Sequence, residues 1–143
     1  MRQVSSRVAL PAVVAGLLLA ASGCSSDSPQ RTPAATARVT ERDFAIKAPR
    51  HLHAGEVQLT VRNKGPDAHE LILVRSDDPL PLRDDGSTVD EETLKRATVG
   101  MLEAGEPGGS RRLRVHLAPG RYQLFCNMAG HYQGGMHARL VVQ

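Results

Sequence analysis

Apolar residues recur at every second position in three parts of the chain. Val57, Leu59 and Val61 are separated by Gln58, Thr60 and Arg62, and Leu113, Val115 and Leu117 by Arg114 and His116. Tyr122, Leu124 and Cys126 repeat the spacing directly after the Pro119-Gly120 turn. A period of two is the mark of a strand with one face buried and one face wet. Residues 69–75, His-Glu-Leu-Ile-Leu-Val-Arg, form a more continuous apolar run, which suits a strand covered on both faces. Residues 37–46 predict an opening strand and residues 138–142 a closing one. The segment Asn63-Lys64-Gly65-Pro66-Asp67 is dense in turn formers. Short strands joined by Pro/Gly turns predict an all-β Greek-key sandwich or barrel.

The stretch 76–110 breaks this pattern. It is long and polar, and only two elements are predicted in it. One is a short helix over residues 87–95, with Asp90, Glu91 and Glu92 early and Lys95-Arg96 late, as the helix dipole favours. The other is a strand over residues 99–102. The remainder reads as loop.

The N-terminus has a different character. Arg2 and Arg7 precede an uncharged apolar stretch over residues 8–21, which ends in small residues. A transmembrane helix needs about 20 apolar residues, so this stretch reads as a secretory signal peptide, residues 1–23. Leu19-Ala20-Ala21-Ser22-Gly23-Cys24 resembles the bacterial lipobox, with Ala21 where Leu is favoured. The resemblance implies lipidation of Cys24 and an extracytoplasmic protein anchored to the bacterial membrane. More than one acyl chain gives a stable anchor where one binds only marginally. Polar, Pro-containing residues 24–37 read as a flexible tether, and residues 38–143 as one folded domain.

Loss of Arg2 and Arg7 from 18 basic side chains leaves 16 against 15 acidic, a net charge of +1. Such a balance gives no reason to expect nucleic-acid binding. The chain has two cysteines, Cys24 and Cys126. With Cys24 lipidated, Cys126 has no disulfide partner, and a lone thiol outside the cytoplasm is a liability unless a metal occupies it.

Cys126, His131 and Met136 are each separated by four residues on a Gly-rich connection between two predicted strands. A thiolate, an imidazole and a thioether together suit copper. Zinc favours further Cys, His or carboxylate ligands, and an iron–sulfur cluster needs more cysteines. His69, which opens a strand after the 63–67 turn, is the best candidate for a fourth donor. His51 and His53 can share a strand face, but solvated loop positions are the simpler reading for both. His116 falls on a polar strand face. His137, next to Met136, points the opposite way in an extended chain. Alternation also turns Glu70 away from its neighbour His69. Met101 and Met128 read as packing residues. The acids at 77–78, 84–85 and 90–92 read as a solvated loop and a helix start.

Asn63-x-Gly65, His69-Glu70, Leu117-x-Pro119-Gly120-x-Tyr122-x-x-x-Cys126 and Gly130-His131-x-x-x-Gly135-Met136 resemble the cupredoxins, the small blue copper proteins. The spacing is most similar to the rusticyanin, auracyanin and sulfocyanin types. The resemblance covers residues 39–142 and is thinnest through 76–110. It implies one type 1 copper, with His69, Cys126 and His131 as equatorial ligands and Met136 as the axial one. It further implies a monomeric electron carrier rather than an enzyme. Its redox partners would dock near His131, on a patch including Ala129, Tyr132 and Gly134.

A copper storage or delivery protein is the alternative, because Cys, His and Met also suit Cu(I). An oxidase or nitrite reductase domain would need a second copper centre, for which no His-x-His pair is convincingly placed. A metal-free structural domain leaves the 126–136 motif unexplained.

Overall fold

The computed structural model describes residues 35–143. The expected signal peptide, Cys24 and most of the tether lie outside the described residues.

Strands β1 (Ala35–Arg42), β2 (Ala45–Lys47), β4 (Gly55–Asn63) and β7 (Ser110–Leu117) form one sheet in the order β2-β1-β4-β7. Strands β3 (His51–Leu52), β5 (His69–Val74), β6 (Thr98–Gly105), β8 (Gly120–Phe125) and β9 (His137–Val142) form a second in the order β3-β9-β8-β5-β6. The pairs β1–β4 and β3–β9 are parallel, and the other pairings are antiparallel. Strand neighbours that are distant in sequence give the crossed connectivity of a Greek-key sandwich. β1 opens at Ala35, ahead of the domain start expected at Arg38, because Ala35, Thr36 and Ala37 pair with Val57, Gln58 and Leu59 of β4.

The alternating positions meet between the sheets. Val57, Leu59 and Val61 face Leu71, Leu73, Tyr122, Leu124 and Leu140, all buried, and Cys126 and Met136 belong to the same cluster. The inner face of β1 contributes Ala37 and Val39 and then, unexpectedly for a core position, the fully buried Glu41. Its carboxylate accepts a hydrogen bond from Arg111 Nη2 of β7 at 2.5 Å, and the same guanidinium donates to the Glu103 carbonyl.

The polar stretch 76–110 is more ordered than its composition suggests. β6 is longer than expected and pairs with β5. The helix α1 (Glu91–Leu94) is shorter, and the Asp90 side chain caps it by accepting from the Glu92 N–H at 3.2 Å. Leu80, Val89 and Leu94 pack with Ile72, Val74 and Phe125 into a second cluster. These are the residues of β5 and β8 that alternate away from the main core, which is why β5 is apolar on both faces. Met101 and Met128 correct the expectation of packing residues, being 46% and 37% exposed. Met101 lies on the solvent side of edge strand β6, and Met128 lies in the connection after Cys126.

Candidate metal centre

Strand β8 delivers Cys126. Alternation turns Leu124 and Cys126 into the main core and Phe125 out of it. The connection from β8 to β9 then folds back on itself. The His131 N–H donates to Met128 O at 2.9 Å, Gly134 N–H to Gly130 O at 2.9 Å, and Met136 N–H to His131 O at 2.9 Å. The Cys126 N–H donates to Met136 O at 3.1 Å and closes the loop at its base. Gly130 and Gly135 have φ of 78° and 103°, a region that side-chain-bearing residues seldom occupy.

This folding brings His131 Nδ1 to 3.5 Å from Cys126 Sγ. The opposite half of the chain supplies His69, fully buried at the start of β5. Its ring centroid lies 5.2 Å from that of His131. One ligand atom from each of His69, Cys126 and His131 lies within 4.8 Å of the others, and among the described residues no other such group forms. Met136 is fully buried in the core that contains Cys126, and its backbone bonds to both Cys126 and His131. His51, His53, His116 and His137 are exposed. His116 Nδ1 pairs with Glu56 Oε1 at 2.9 Å instead.

The turn before His69 is built by Asn63. Its Nδ2 donates to Asp67 O at 2.6 Å and Gly105 O at 3.0 Å, while its Oδ1 accepts from Gly65 N–H at 2.8 Å. His69 Nε2 donates to Asp43 Oδ1 at 3.0 Å. His69 Nδ1 is buried without any partner. Burial pushes the His69 imidazole below its ordinary pKa, and nearby His131 adds to this against the opposing carboxylate of Asp43.

Burial also raises the Cys126 thiol above its ordinary pKa. The backbone N–H groups of Met128 and Glu70 oppose that shift by hydrogen bonding to the sulfur. The charge of the Glu70 side chain acts the other way and raises the thiol further, while its Oε1 accepts from the Asn127 N–H at 2.9 Å. Burial lifts the Glu70 carboxyl above its ordinary range.

Asn127 fastens the ligand loop to the 76–110 stretch. Its Oδ1 accepts from Val89 N–H at 2.5 Å, and its Nδ2 donates to Val89 O at 3.0 Å and Glu91 Oε1 at 2.6 Å. Gly130 N–H donates to Ser87 O at 2.8 Å, and the Tyr132 hydroxyl accepts from Leu80 N–H at 3.3 Å. Phe44, 53% exposed, lays its ring edge-on to His131 with centroids 5.4 Å apart.

Asp43, Phe44, Glu70 and Asn127 support the donor group from positions that sequence spacing did not single out. Asp43 and Phe44 lie in the turn between β1 and β2, within a segment that reads as one uninterrupted opening strand. Glu70 was set aside by alternation, yet its carboxylate reaches across to the segment after Cys126. A polar residue directly after the candidate Cys was the available signal for Asn127.

In sequence, the chain matches no family model and no curated protein. In structure it is similar to the dithionite-reduced auracyanin of the photosynthetic bacterium Roseiflexus castenholzii, at 19% identity and TM-score 0.60, covering 77% of this chain and 98% of that one. Auracyanin A of Chloroflexus aurantiacus, described as a "blue" copper protein, superposes with TM-score 0.56 at 20% identity, covering 76% of this chain and 98% of its own. Rusticyanin from Thiobacillus ferrooxidans gives TM-score 0.56 at 15% identity, covering 76% and 77%. The chain therefore folds as a cupredoxin, a β-sandwich of the auracyanin and rusticyanin kind.

Proposed function

We propose that His69, Cys126, His131 and Met136 hold one copper ion, and that the protein carries single electrons between partners outside the cytoplasm. The observation that carries this reading is the buried Nδ1 of His69. A buried polar atom without a partner is costly, and the residue that carries it is one of the three, with Cys126 and His131, whose ligand atoms converge. Two imidazoles, a thiolate and a thioether form the donor set expected for a type 1 copper. When bound, such an ion supplies a one-electron couple, Cu(II) plus one electron giving Cu(I).

The chain's own contribution is to hold the donors still. Cys126 and Met136 are fixed in the core between the sheets, His69 by Asp43, and the loop by its own backbone bonds. Ligands that keep their places through a change of oxidation state let the electron move with little rearrangement. The same burial disfavours a delivery role, in which a partner must reach the ion. His131 retains 9% exposure beside Phe44 and Met128, which are both exposed. Together with Ala129, Tyr132 and Gly134 they form the surface on which a redox partner docks, in a small and short-lived contact. The signal and lipobox pattern supports anchoring through Cys24 to the outside of a bacterial membrane.

The test is the absorption spectrum of the purified full chain after addition of Cu(II). The expected result is an intense visible band from thiolate-to-copper charge transfer, absent in Cys126→Ser. Tight Cu(II) binding without such a band, or a band that survives Cys126→Ser, overturns the reading.

A further inference from the structure

The β1–β2 turn sits against the candidate metal centre at two points. Asp43 accepts the hydrogen bond from His69 Nε2 at 3.0 Å, and its side chain is one-quarter exposed, at 25%. Phe44 follows with φ of 60°, a left-handed conformation that is a genuine outlier for an aromatic residue. Such a conformation persists only where the surroundings over-determine it. Glycines make the room for it. A Cβ on Gly134 would collide with the Phe44 ring, and a Cβ on Gly135 would stand 3.2 Å from the Phe44 carbonyl oxygen. On the other side, a Cβ on Gly65 would stand 2.5 Å from Asp43 Oδ1 and 2.9 Å from His69 Nε2. The space occupied by the Asp43–His69 hydrogen bond exists because residue 65 has no side chain.

A carboxylate acceptor does two things to an imidazole. It selects the tautomer with the proton on the bonded nitrogen, here Nε2, and leaves the other nitrogen as a free lone pair. It also places negative charge close to whatever that lone pair binds, which favours the more positive state of a bound cation. His69 Nδ1 is the buried nitrogen without a partner.

We propose that Asp43 is a positioning residue for the metal centre, which fixes His69 as the Nε2–H tautomer with Nδ1 free for copper and lowers the reduction potential of the bound ion. The proposal rests on the copper reading above for its second half alone, since the tautomer is a property of the copper-free protein. Phe44, wedged against the ligand loop, holds the turn that aims Asp43.

The experiment uses two readouts on the full chain. In the copper-free protein, nitrogen-15 NMR of the His69 ring reports the tautomer. Wild type is expected to show Nε2–H, and Asp43→Asn to keep it, because the amide oxygen still accepts. Asp43→Ala and Gly65→Ala are expected to lose it. In the copper-loaded protein, Asp43→Asn is expected to shift the one-electron equilibrium at least tenfold toward Cu(I), a rise of about 59 mV in potential, with the visible band retained. An Nδ1–H tautomer in wild type, an Nε2–H tautomer that persists in Asp43→Ala, or a potential unchanged in Asp43→Asn overturns the proposal. A wild-type chain that gains no visible band sinks the copper reading instead, and the NMR result then still decides the tautomer.

Discussion

The ligand loop is gripped by two apolar clusters of different kinds. The inner one lies between the sheets and takes in Cys126 and Met136. The outer one, on the far face of the β5–β8 pair, takes in Phe125 and packs against Tyr132. Adjacent residues in the chain, Phe125 and Cys126, therefore enter different clusters. Every strand of both sheets except short β3 and edge β6 supplies buried side chains to the inner cluster, whereas Leu80, Val89 and Leu94 from the polar stretch complete the outer one. Burying a cysteine inside a sandwich places it. Keeping the following loop from moving requires a second surface on the other side, and the 76–94 segment provides one. The 76–94 segment thus supports the candidate site.

Phe125→Ala tests whether the outer cluster matters as much as the inner. Phe125 is fully buried, and its ring meets that of Tyr132 edge-on at 5.8 Å between centroids. Truncating a buried Phe costs about 3–5 kcal/mol. The expected outcome is a loss of that size in chemical denaturation, with faster release of copper to a chelator. A loss below about 1 kcal/mol with unchanged release would reduce the outer cluster to a cover.

The inner cluster has a weakness of its own in Glu41. Burial raises its carboxyl from 4.5 to about 7, against the Arg111 guanidinium that lowers it. A raised acid pKa means that the folded state keeps a proton which the unfolded chain has released. The contribution is therefore fully present below about pH 4.5 and is lost as pH rises through about 7. Its size is on the order of 3 kcal/mol. His69, with its lowered pKa, has the opposite slope, and loses stability as pH falls below its unfolded value. Stability of wild type minus that of Glu41→Gln, measured against pH, cancels the His69 part. The difference is expected to fall across pH 4.5 to 7, and a flat difference would show Glu41 to be ionised throughout.

Asn127→Ala sharpens the comparison at the point where the clusters meet. It removes the three hydrogen bonds to Val89 and Glu91 and leaves Val89 N–H and O buried without them. A buried unsatisfied group costs about 1–3 kcal/mol. Denaturation should show a loss in that range, and hydrogen exchange should show faster opening around residues 80–94, with β4 and β7 unaffected.

The two clusters also differ in how far they were legible. The inner one follows from the period of two in β4, β7 and β8, because one-sided burial writes itself into alternation. The candidate loop residues stood out for a similar reason, since Cys126, His131 and Met136 lie on one short segment closed by local backbone bonds. The outer cluster left little trace. Leu80, Val89 and Leu94 are isolated apolar residues in a polar stretch, with no period, and their burial depends on the far face of a sheet built from distant strands. The apolar run in β5 was the one hint that this face was covered. Asp43 was hidden for a comparable reason, because only tertiary pairing of β1 with β4 carries the turn to the Gly65 side of His69.

Met136→Leu is expected to have the smallest effect on stability, and it separates packing from chemistry at one side chain. Leu is close to Met in volume, and such swaps usually cost less than about 1.5 kcal/mol, so the inner cluster should persist. Met136 N–H and O are backbone groups, so their bonds to His131 and Cys126 survive the change. The donors His69, Cys126 and His131 are untouched, and the visible band should remain. What is lost is the thioether. A weak axial donor favours Cu(II) over Cu(I), so its removal should raise the potential. Protein-film voltammetry beside a denaturation curve reads both quantities. A large loss of stability with an unchanged potential would make Met136 a core residue and leave the copper to three ligands.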